Sequence, residues 1–270
     1  MRRAAPRLLG LLLLLPMPAA AARESPALHA SYAIYAAGFR VARVQVVLGV
    51  EPRSYQLQVA YHTVGLVGFF HHGHQRNSVV GTWDADQPEP RRYEGAGVWG
   101  GDVNMTLIDY LHGQPLVQRL IPRQAEEREP VPMALRQNSV DSLSALALLI
   151  RRVEDTNRCE ASVHTFDGYR ASEITTRTVG ERVLAPTGRS IFSGKALRCD
   201  FLSQELAGFR RRDNTPYDRR PLHGSAWLAR VIPGAPPVPV RMDFETLWFG
   251  DATMYLTQLG QAPPTEVAAH

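Results

Sequence analysis

Residues 43–62 run Arg-Val-Gln-Val-Val-Leu-Gly-Val-Glu-Pro-Arg-Ser-Tyr-Gln-Leu-Gln-Val-Ala-Tyr-His. Successive side chains of a β-strand point to opposite faces, so apolar residues recurring every second position mark a strand with one buried side. Val44, Val46, Leu48 and Val50 alternate with Arg43, Gln45, Val47 and Gly49. Beyond Glu51-Pro52-Arg53-Ser54, the run Tyr55, Leu57, Val59, Tyr61 alternates with Gln56, Gln58, Ala60 and His62. Two such runs joined by a short Pro-containing turn predict a β-hairpin.

The same period recurs along the chain. Strands are predicted near His74–Trp83, Arg91–Val98, Val103–Tyr110, Val163–Phe166, Tyr169–Thr178, Ser190–Ser193, Ala196–Leu206, Trp227–Ile232, Val238–Thr246 and Ala252–Leu259. Asp167-Gly168 reads as a tight turn. Leu197, Cys199 and Phe201 share one face, so Cys199 points inward; Val240, Met242 and Phe244 alternate with Arg241, Asp243 and Glu245. The Pro- and Glu-rich stretch Ile121–Pro132 is a surface loop. One helix stands out. Ser139 or Asp141 caps it, Leu143–Val153 continue it, and Arg151 and Arg152 close it against the helix dipole. Leu143, Leu146, Leu148, Leu149 and Ile150 surround its axis, so it is buried on most sides. A sheet of about ten or more antiparallel strands does not stay flat, because strand twist makes it curl. A curled sheet offers the concave apolar surface that such a helix needs. The fold class expected is therefore mainly β: a strongly curved antiparallel sheet, a half-barrel or β-spiral, wrapped around one buried helix.

The chain has 270 residues, 44% hydrophobic and 21% charged, a globular rather than a disordered or collagenous composition. Arg2, Arg3 and Arg7, the apolar run Leu8–Leu15, and the small residues Ala19–Ala22 follow the order of a secretory signal. The predicted organisation is a signal peptide over 1–22, one β-rich domain over 23–260, and a Pro- and Ala-rich tail over 261–270. Removing the signal takes three arginines and no acid, so the formal charge falls from +4 to +1. That excludes a nucleic-acid-binding field. No later apolar stretch approaches the ~20 residues of a membrane-spanning helix. The expected location is an oxidising space outside the cytoplasm. An exported chain with two cysteines, Cys159 and Cys199, predicts one disulfide, which stabilises by about 4 kcal/mol through loop-closure entropy.

Signatures of catalysis are missing: no G-x-S-x-G, H-E-x-x-H, P-loop or G-x-G-x-x-G occurs. Asp102, Asp109, Asp167 and Asp243 are scattered over predicted turns and strands. No catalytic residue, metal or cofactor is therefore expected. His71, His72 and His74 surround Gly73 and read as a solvated turn rather than a metal site, which would need a complete ligand set. Arg210, Arg211, Arg212, Arg219 and Arg220 crowd one loop with Asp213 and Asp218; such a loop is usually solvated and partly self-paired, the alternative being contact with phosphates of a lipid or glycan.

The order of segments resembles a known family. Ser31-Tyr32 to Gly38-Phe39 opens it, followed by Tyr61-His62-Thr63-Val64-Gly65-Leu66-Val67-Gly68. Asp141-Ser142-Leu143-Ser144-Ala145-Leu146 stands where the family usually has Asp-Pro-Leu-Ser. Phe166-Asp167-Gly168, Cys199 before a strand, Ala207-Gly208-Phe209 and Pro239-Val240-Arg241 complete it. The chain resembles the exported bacterial domain-of-unknown-function family 3108 from about Ser31 to Leu259. The resemblance implies a periplasmic envelope protein. It supplies no catalytic residues. The architecture also looks like envelope-integrity β-spiral proteins and, more distantly, lipoprotein-carrier half-barrels. The expectation is a non-catalytic protein supporting envelope integrity by binding a lipophilic ligand or an envelope protein at the barrel mouth, lined by Tyr61, Phe69, Phe70 and Trp83. The alternatives are an envelope glycan or peptide hydrolase using unrecognised carboxylates, and a scaffold that pairs through a sheet edge.

Overall fold

The computed structural model describes residues 27–65, 68, 72–122, 128–211, 219–246 and 250–261. The predicted signal peptide and the tail beyond Gln261 lie outside them. In chain order the elements are β1 (Leu28–Ala36), β2 (Phe39–Val50), β3 (Ser54–Thr63), β4 (Gly73–Asp84), β5 (Gln87–Trp99), β6 (Asp102–Leu111) and β7 (Gln114–Ile121). The helices α1 (Met133–Arg136) and α2 (Ser142–Thr156) follow, then β8 (Ala161–Phe166), β9 (Ala171–Leu184), β10 (Gly194–Ala207), β11 (Leu222–Ala229), β12 (Val238–Thr246) and β13 (Gly250–Gln261). The hairpin read at 44–62 is β2–β3, with Val44 opposite Tyr61 and Leu48 opposite Leu57.

All strands join one antiparallel sheet in the order β7-β6-β5-β4-β3-β2-β1-β13-β12-β11-β10-β9-β8. Each half is a simple meander, and the first strand pairs with the last along Leu28–Ala36 and Ala252–Gln261. The sheet curls until it is nearly closed into a barrel. Thirteen strands alternating in direction leave the two edges, β7 and β8, running the same way, so an antiparallel ladder cannot join them. The segment between the helices and the edges bridges the seam instead. Asn138 N–H donates to Gly113 O in the β6–β7 turn (3.0 Å), and Val140 pairs in parallel with β8 through Val140 N to His164 O (3.0 Å) and Phe166 N to Val140 O (2.8 Å).

Helix α2 fills the barrel against β2, β3, β4, β5 and β8. Leu143, Ala147, Leu148, Ile150 and Val153 are buried, and no residue from 143 to 150 is exposed. Its start is fixed by Asp141, whose carboxylate accepts from Leu143 N (2.9 Å), Ser144 N (3.0 Å) and Ser144 Oγ (2.5 Å). Its end differs from the expectation. Arg151 and Arg152 lie inside the helix, because nothing in them breaks it; the stop is Asn157, left-handed at φ 53°, whose N–H bonds Val153 O. Arg151 covers the Trp83 ring (4.4 Å to its centre) and pairs with Asp155. The expected disulfide is present between Cys159 and Cys199, both fully buried, with Cα atoms 5.9 Å apart; it ties the chain just after α2 to the inner face of β10.

Three further segments depart from the sequence reading, the first being β1, a strand that reading leaves unassigned. Ser190–Ser193 is a loop, not a strand: Ile191 N and Ser190 Oγ both donate to Leu256 O, so the β9–β10 connection reaches across to β13. β7, which that reading leaves unassigned, is an edge strand exposed in its middle on both faces and therefore carries no alternation.

Candidate functional site

The inner face of β3–β6 changes character along the strands. One cross-strand row, Leu57–Val79–Tyr93–Ile108, is apolar and fully buried beneath α2. The next row away from the helix is Val59–Asn77–Gly95–Thr106, and the one after is Tyr61–Gln75–Gly97–Asn104. Four residues along a strand, the inner wall turns from hydrocarbon to amide and hydroxyl. The glycines are part of this. A Cβ on Gly97 would collide with the Gln75 side chain and the His74 carbonyl, so only glycine lets Gln75 lie across the wall. Gln75 Nε2 donates to Asn77 Oδ1 (2.9 Å); the side chains of Asn104 and Thr106 have no protein hydrogen-bond partner among the described residues.

The opposite wall is built by the β8–β9 turn and the segments that rest on it. Asp167 organises the turn: its Oδ1 accepts from Tyr169 N (2.9 Å) and Arg170 N (2.7 Å), while its Oδ2 takes Arg170 Nε (3.0 Å) and Nη2 (2.8 Å) as a two-pronged pair. Tyr169 Oη donates to Pro122 O (2.8 Å), tying the turn to the end of β7. Gly208, at φ +90°, lets the chain after β10 touch this turn, since a Cβ there would strike the Tyr169 carbonyl. Arg128 Nη1 donates to Gly208 O (2.8 Å) and stands 3.6 Å from Glu205 Oε1; Arg170 Nη1 stands 4.0 Å from Glu205 Oε2.

Between the two walls lies a cavity of about 1030 Å³, open at the barrel mouth away from α2. Tyr61, Gln75, Asn77, Tyr93 and Asn104 line one side, and Arg128, Asp167, Arg170, Arg210 and Arg211 the other. Arg170 and Asp167 are surrounded by protein, yet they keep 47% and 29% of their side-chain surface accessible because the space they face is this cavity. The charges are set by one another. Burial pushes the Asp167 carboxyl up, but the Arg170 guanidinium and the turn's N–H groups outweigh it and hold it below the ordinary range. Asp167 in turn holds the Arg170 guanidinium firmly charged. Burial, and then the positive charge of Arg170, pull Arg128 down, while burial pushes Glu205 up against the two arginines. Burial raises the Tyr61 and Tyr93 hydroxyls, so both keep their protons as hydrogen-bond donors.

A second polar group lies at the start of α2. Burial pushes Asp141 up to about 6 against the hydrogen bonds it accepts. Tyr55 Oη and Ser144 Oγ are 2.8 Å apart, extending the network to β3, and the nearby Tyr110 hydroxyl is buried without a hydrogen-bond partner among the described residues.

Of the expected lining residues, Tyr61 lines the mouth cavity. Trp83 does not. It sits by the helix, its ring 4.7 Å from Tyr55 and its Nε1 donating to Glu51 O and Ser54 O, because the inner positions of β4 run from the mouth at Gln75 to the sealed end at Trp83. Phe69 and Phe70 lie outside the described residues, as does His71; His72 and His74 are exposed. Among the described residues no three His, Cys, Asp or Glu side chains gather as a metal site. The four singled-out acids divide. Asp102 and Asp167 line the cavity, Asp109 pairs with Arg92 (2.7 Å), and Asp243 pairs with Arg241 (2.7 Å). Of the arginine loop, Arg210 and Arg211 line the cavity, Arg219 covers Phe209, Arg220 bonds Glu245 (2.7 Å), and Arg212 lies outside the described residues. Sequence reasoning missed Gln75, Asn77, Arg128 and Arg170.

No curated protein matches the chain. Among solved structures, a β-barrel-like protein of the domain of unknown function DUF1849 from Brucella abortus is similar in fold, with a TM-score of 0.55 at 10% identity over 88% of this chain and 98% of that one. At that identity the likeness speaks for the barrel alone. The family model for proteins of unknown function DUF3108 matches residues 31–257, from within β1 to within β13 with α2 and every strand between, and the chain belongs to that family.

Proposed function

We propose that the protein is a non-catalytic binding protein of the cell envelope that works outside the cytoplasm and holds a polar ligand in the mouth of its barrel. The carrying observation is the cavity of about 1030 Å³ in whose walls amides, hydroxyls and guanidiniums outweigh the apolar surface of Trp99, Val103 and Pro122. Specific small-molecule sites are concavities with a few converging polar groups, and this one is of that size class. A lipophilic occupant, the expectation from sequence, would strand those polar groups away from water, which costs about 1–3 kcal/mol for each one. The buried Cys159–Cys199 bridge suits an oxidising compartment. The carboxylates favour binding over hydrolysis. Asp167 spends both oxygens on the turn and Arg170, and Glu205 is held between Arg128 and Arg170, so neither is free to shuttle a proton, which leaves Asp102 without a second carboxylate to work with.

The test is native mass spectrometry of protein extracted from the periplasmic fraction without reduction. The expected result is a bridged chain carrying a small polar molecule that is released on unfolding. Recovery of the chain only from the cytoplasm, with two free thiols, would refute the location; a copurified acyl chain would refute the polar ligand.

A further inference from the structure

Given the mouth cavity as a polar ligand site, we infer that it recognises an oxyanion, a carboxylate or phosphate, gripped by Arg170 and Arg128, with the ligand's hydroxyl- or amide-bearing body on the Gln75–Asn77–Asn104 wall.

Hydrogen-bond supply in the cavity is lopsided. Arg170 uses Nε and Nη2 on Asp167, leaving Nη1 beyond hydrogen-bond distance of Glu205 at 4.0 Å. Arg128 uses Nη1 on Gly208 O, and its remaining N–H groups meet no acceptor among the described residues. Two guanidiniums thus share one carboxylate at ion-pair distance, and neither donates a hydrogen bond to it. Arg210 and Arg211 line the same space and pair with no described carboxylate. The hydroxyls of Tyr61 and Tyr93 add two donors without partners among the described residues, and Tyr93 is only 6% exposed. Of the two acids that line the cavity, Asp167 is saturated by its own turn and only Asp102, exposed at the start of β6, is unengaged among the described residues.

Unused donors and surplus positive charge, placed against a pre-ordered guanidinium, are what a carboxylate or phosphate requires. A cationic ligand would meet four arginines against one unpaired acid, Asp102 at the start of β6. The other wall is balanced. Gln75 Oε1, the Asn77 amide nitrogen and the Asn104 amide offer both donors and acceptors, which suits hydroxyl or amide groups of a carbohydrate-like body. The two walls together call for one molecule with both chemistries.

Calorimetric titration of the full mature chain tests this with matched probes: glucose as the neutral body, glucuronate and glucose 6-phosphate as its anionic forms, and phosphatidylglycerol vesicles as the lipid source of the same phosphate. The expected result is that at least one anionic probe binds about tenfold or more tighter than glucose, with an affinity that falls as salt is raised. Arg170→Gln should abolish that preference. Tyr61→Phe, which removes one oxygen and leaves the Asp167 turn untouched, should weaken anion binding about threefold to tenfold with the unfolding midpoint unchanged. Vesicle binding that needs Arg170 identifies a lipid headgroup as the source, whereas binding of the soluble probes alone identifies a free acid. Equal affinity for glucose and its anionic forms overturns the oxyanion and leaves the polar site standing. Vesicle binding that survives Arg170→Gln places the anion elsewhere and overturns it too. If no probe binds and nothing copurifies, the polar-site reading falls with it.

Discussion

Beneath α2 the inner wall of β3–β6 presents Leu57, Val79, Tyr93 and Ile108; two rows on, the same strands present Tyr61, Gln75, Gly97 and Asn104. Backbone, pairing and twist are continuous between them, so the sheet does not distinguish core from cavity. The side chains do, over four residues. Helix α2 fills the apolar end, where burying hydrocarbon stabilises the fold. At the mouth the wall is polar and faces the cavity, and on the proposed reading its groups contribute recognition rather than stability. Tyr93 belongs to both ends: its ring lies in the apolar row and its hydroxyl points toward Gly95 and the cavity. If the two ends divide the work in this way, substitutions at the helix end should lower stability and spare probe binding, and substitutions at the mouth should do the reverse.

The largest effect is expected at the helix end, from the bridge. Replacing Cys159 and Cys199 together by Ser removes a cross-link spanning 40 residues and should cost about 4 kcal/mol in urea unfolding. At urea concentrations where the variant stays folded, its affinity for anionic probes should match that of the parent. A parallel loss of affinity would show that the two ends are mechanically coupled.

Ile108→Ala comes next. Ile108 is fully buried in the apolar row, and its loss should cost about 3 kcal/mol, the hydrocarbon removed plus the cavity left behind. A cost below about 1 kcal/mol would mean that the helix end is loosely packed, contrary to close packing of a core.

Asp141 tests the junction. Its folded pKa, about 6, lies above the unfolded value near 3.8, so the folded state binds the extra proton between these values. The resulting stabilisation is complete below about pH 4 and is lost as pH rises through about 6, up to roughly 3 kcal/mol in all. Asp141→Asn keeps acceptors for Leu143 N and Ser144 N and removes the titration. The stability difference between parent and variant should therefore shift in the parent's favour as pH falls from 7 to 4. Asp141→Ala loses the cap as well and should cost about 2 kcal/mol at pH 5. A difference between parent and Asn variant that stays flat across this range would remove the buried, titrating carboxylate.

Much of the frame was legible because burial on one face writes period two into a strand. The β2–β3 hairpin and the inward Cys199 follow from that rule, and the buried helix from its capping residue and an apolar run that surrounds its axis. β7 was not legible, since an edge strand exposed on both faces has no alternation to read. The cavity escaped for the opposite reason. In β4 the inner residues Gln75 and Asn77 are as polar as the outer Arg76 and Ser78, so patterning places them all in solvent. Polar residues facing a wet interior look like surface in one dimension, and only the register against Tyr61, Gly97 and Asn104 reveals the shared wall.

The smallest stability effect should therefore come from Asn104→Ala, on the same strand and the same face as Ile108 and four residues away. Asn104 is half-buried, and its side chain bonds no described group, so truncation leaves no donor or acceptor stranded and removes little hydrocarbon. Its cost should stay within about 0.5 kcal/mol. Binding should move instead: with one amide gone from the wall under the ligand body, glucose and its anionic forms should weaken together by about threefold to tenfold, leaving their ratio intact. Arg170→Gln alters that ratio, so the two variants separate the wall that holds the body from the wall that reads the charge. A stability loss at Asn104 approaching that at Ile108 would mean that the mouth is packed as core, and the contrast between the two ends would not survive it.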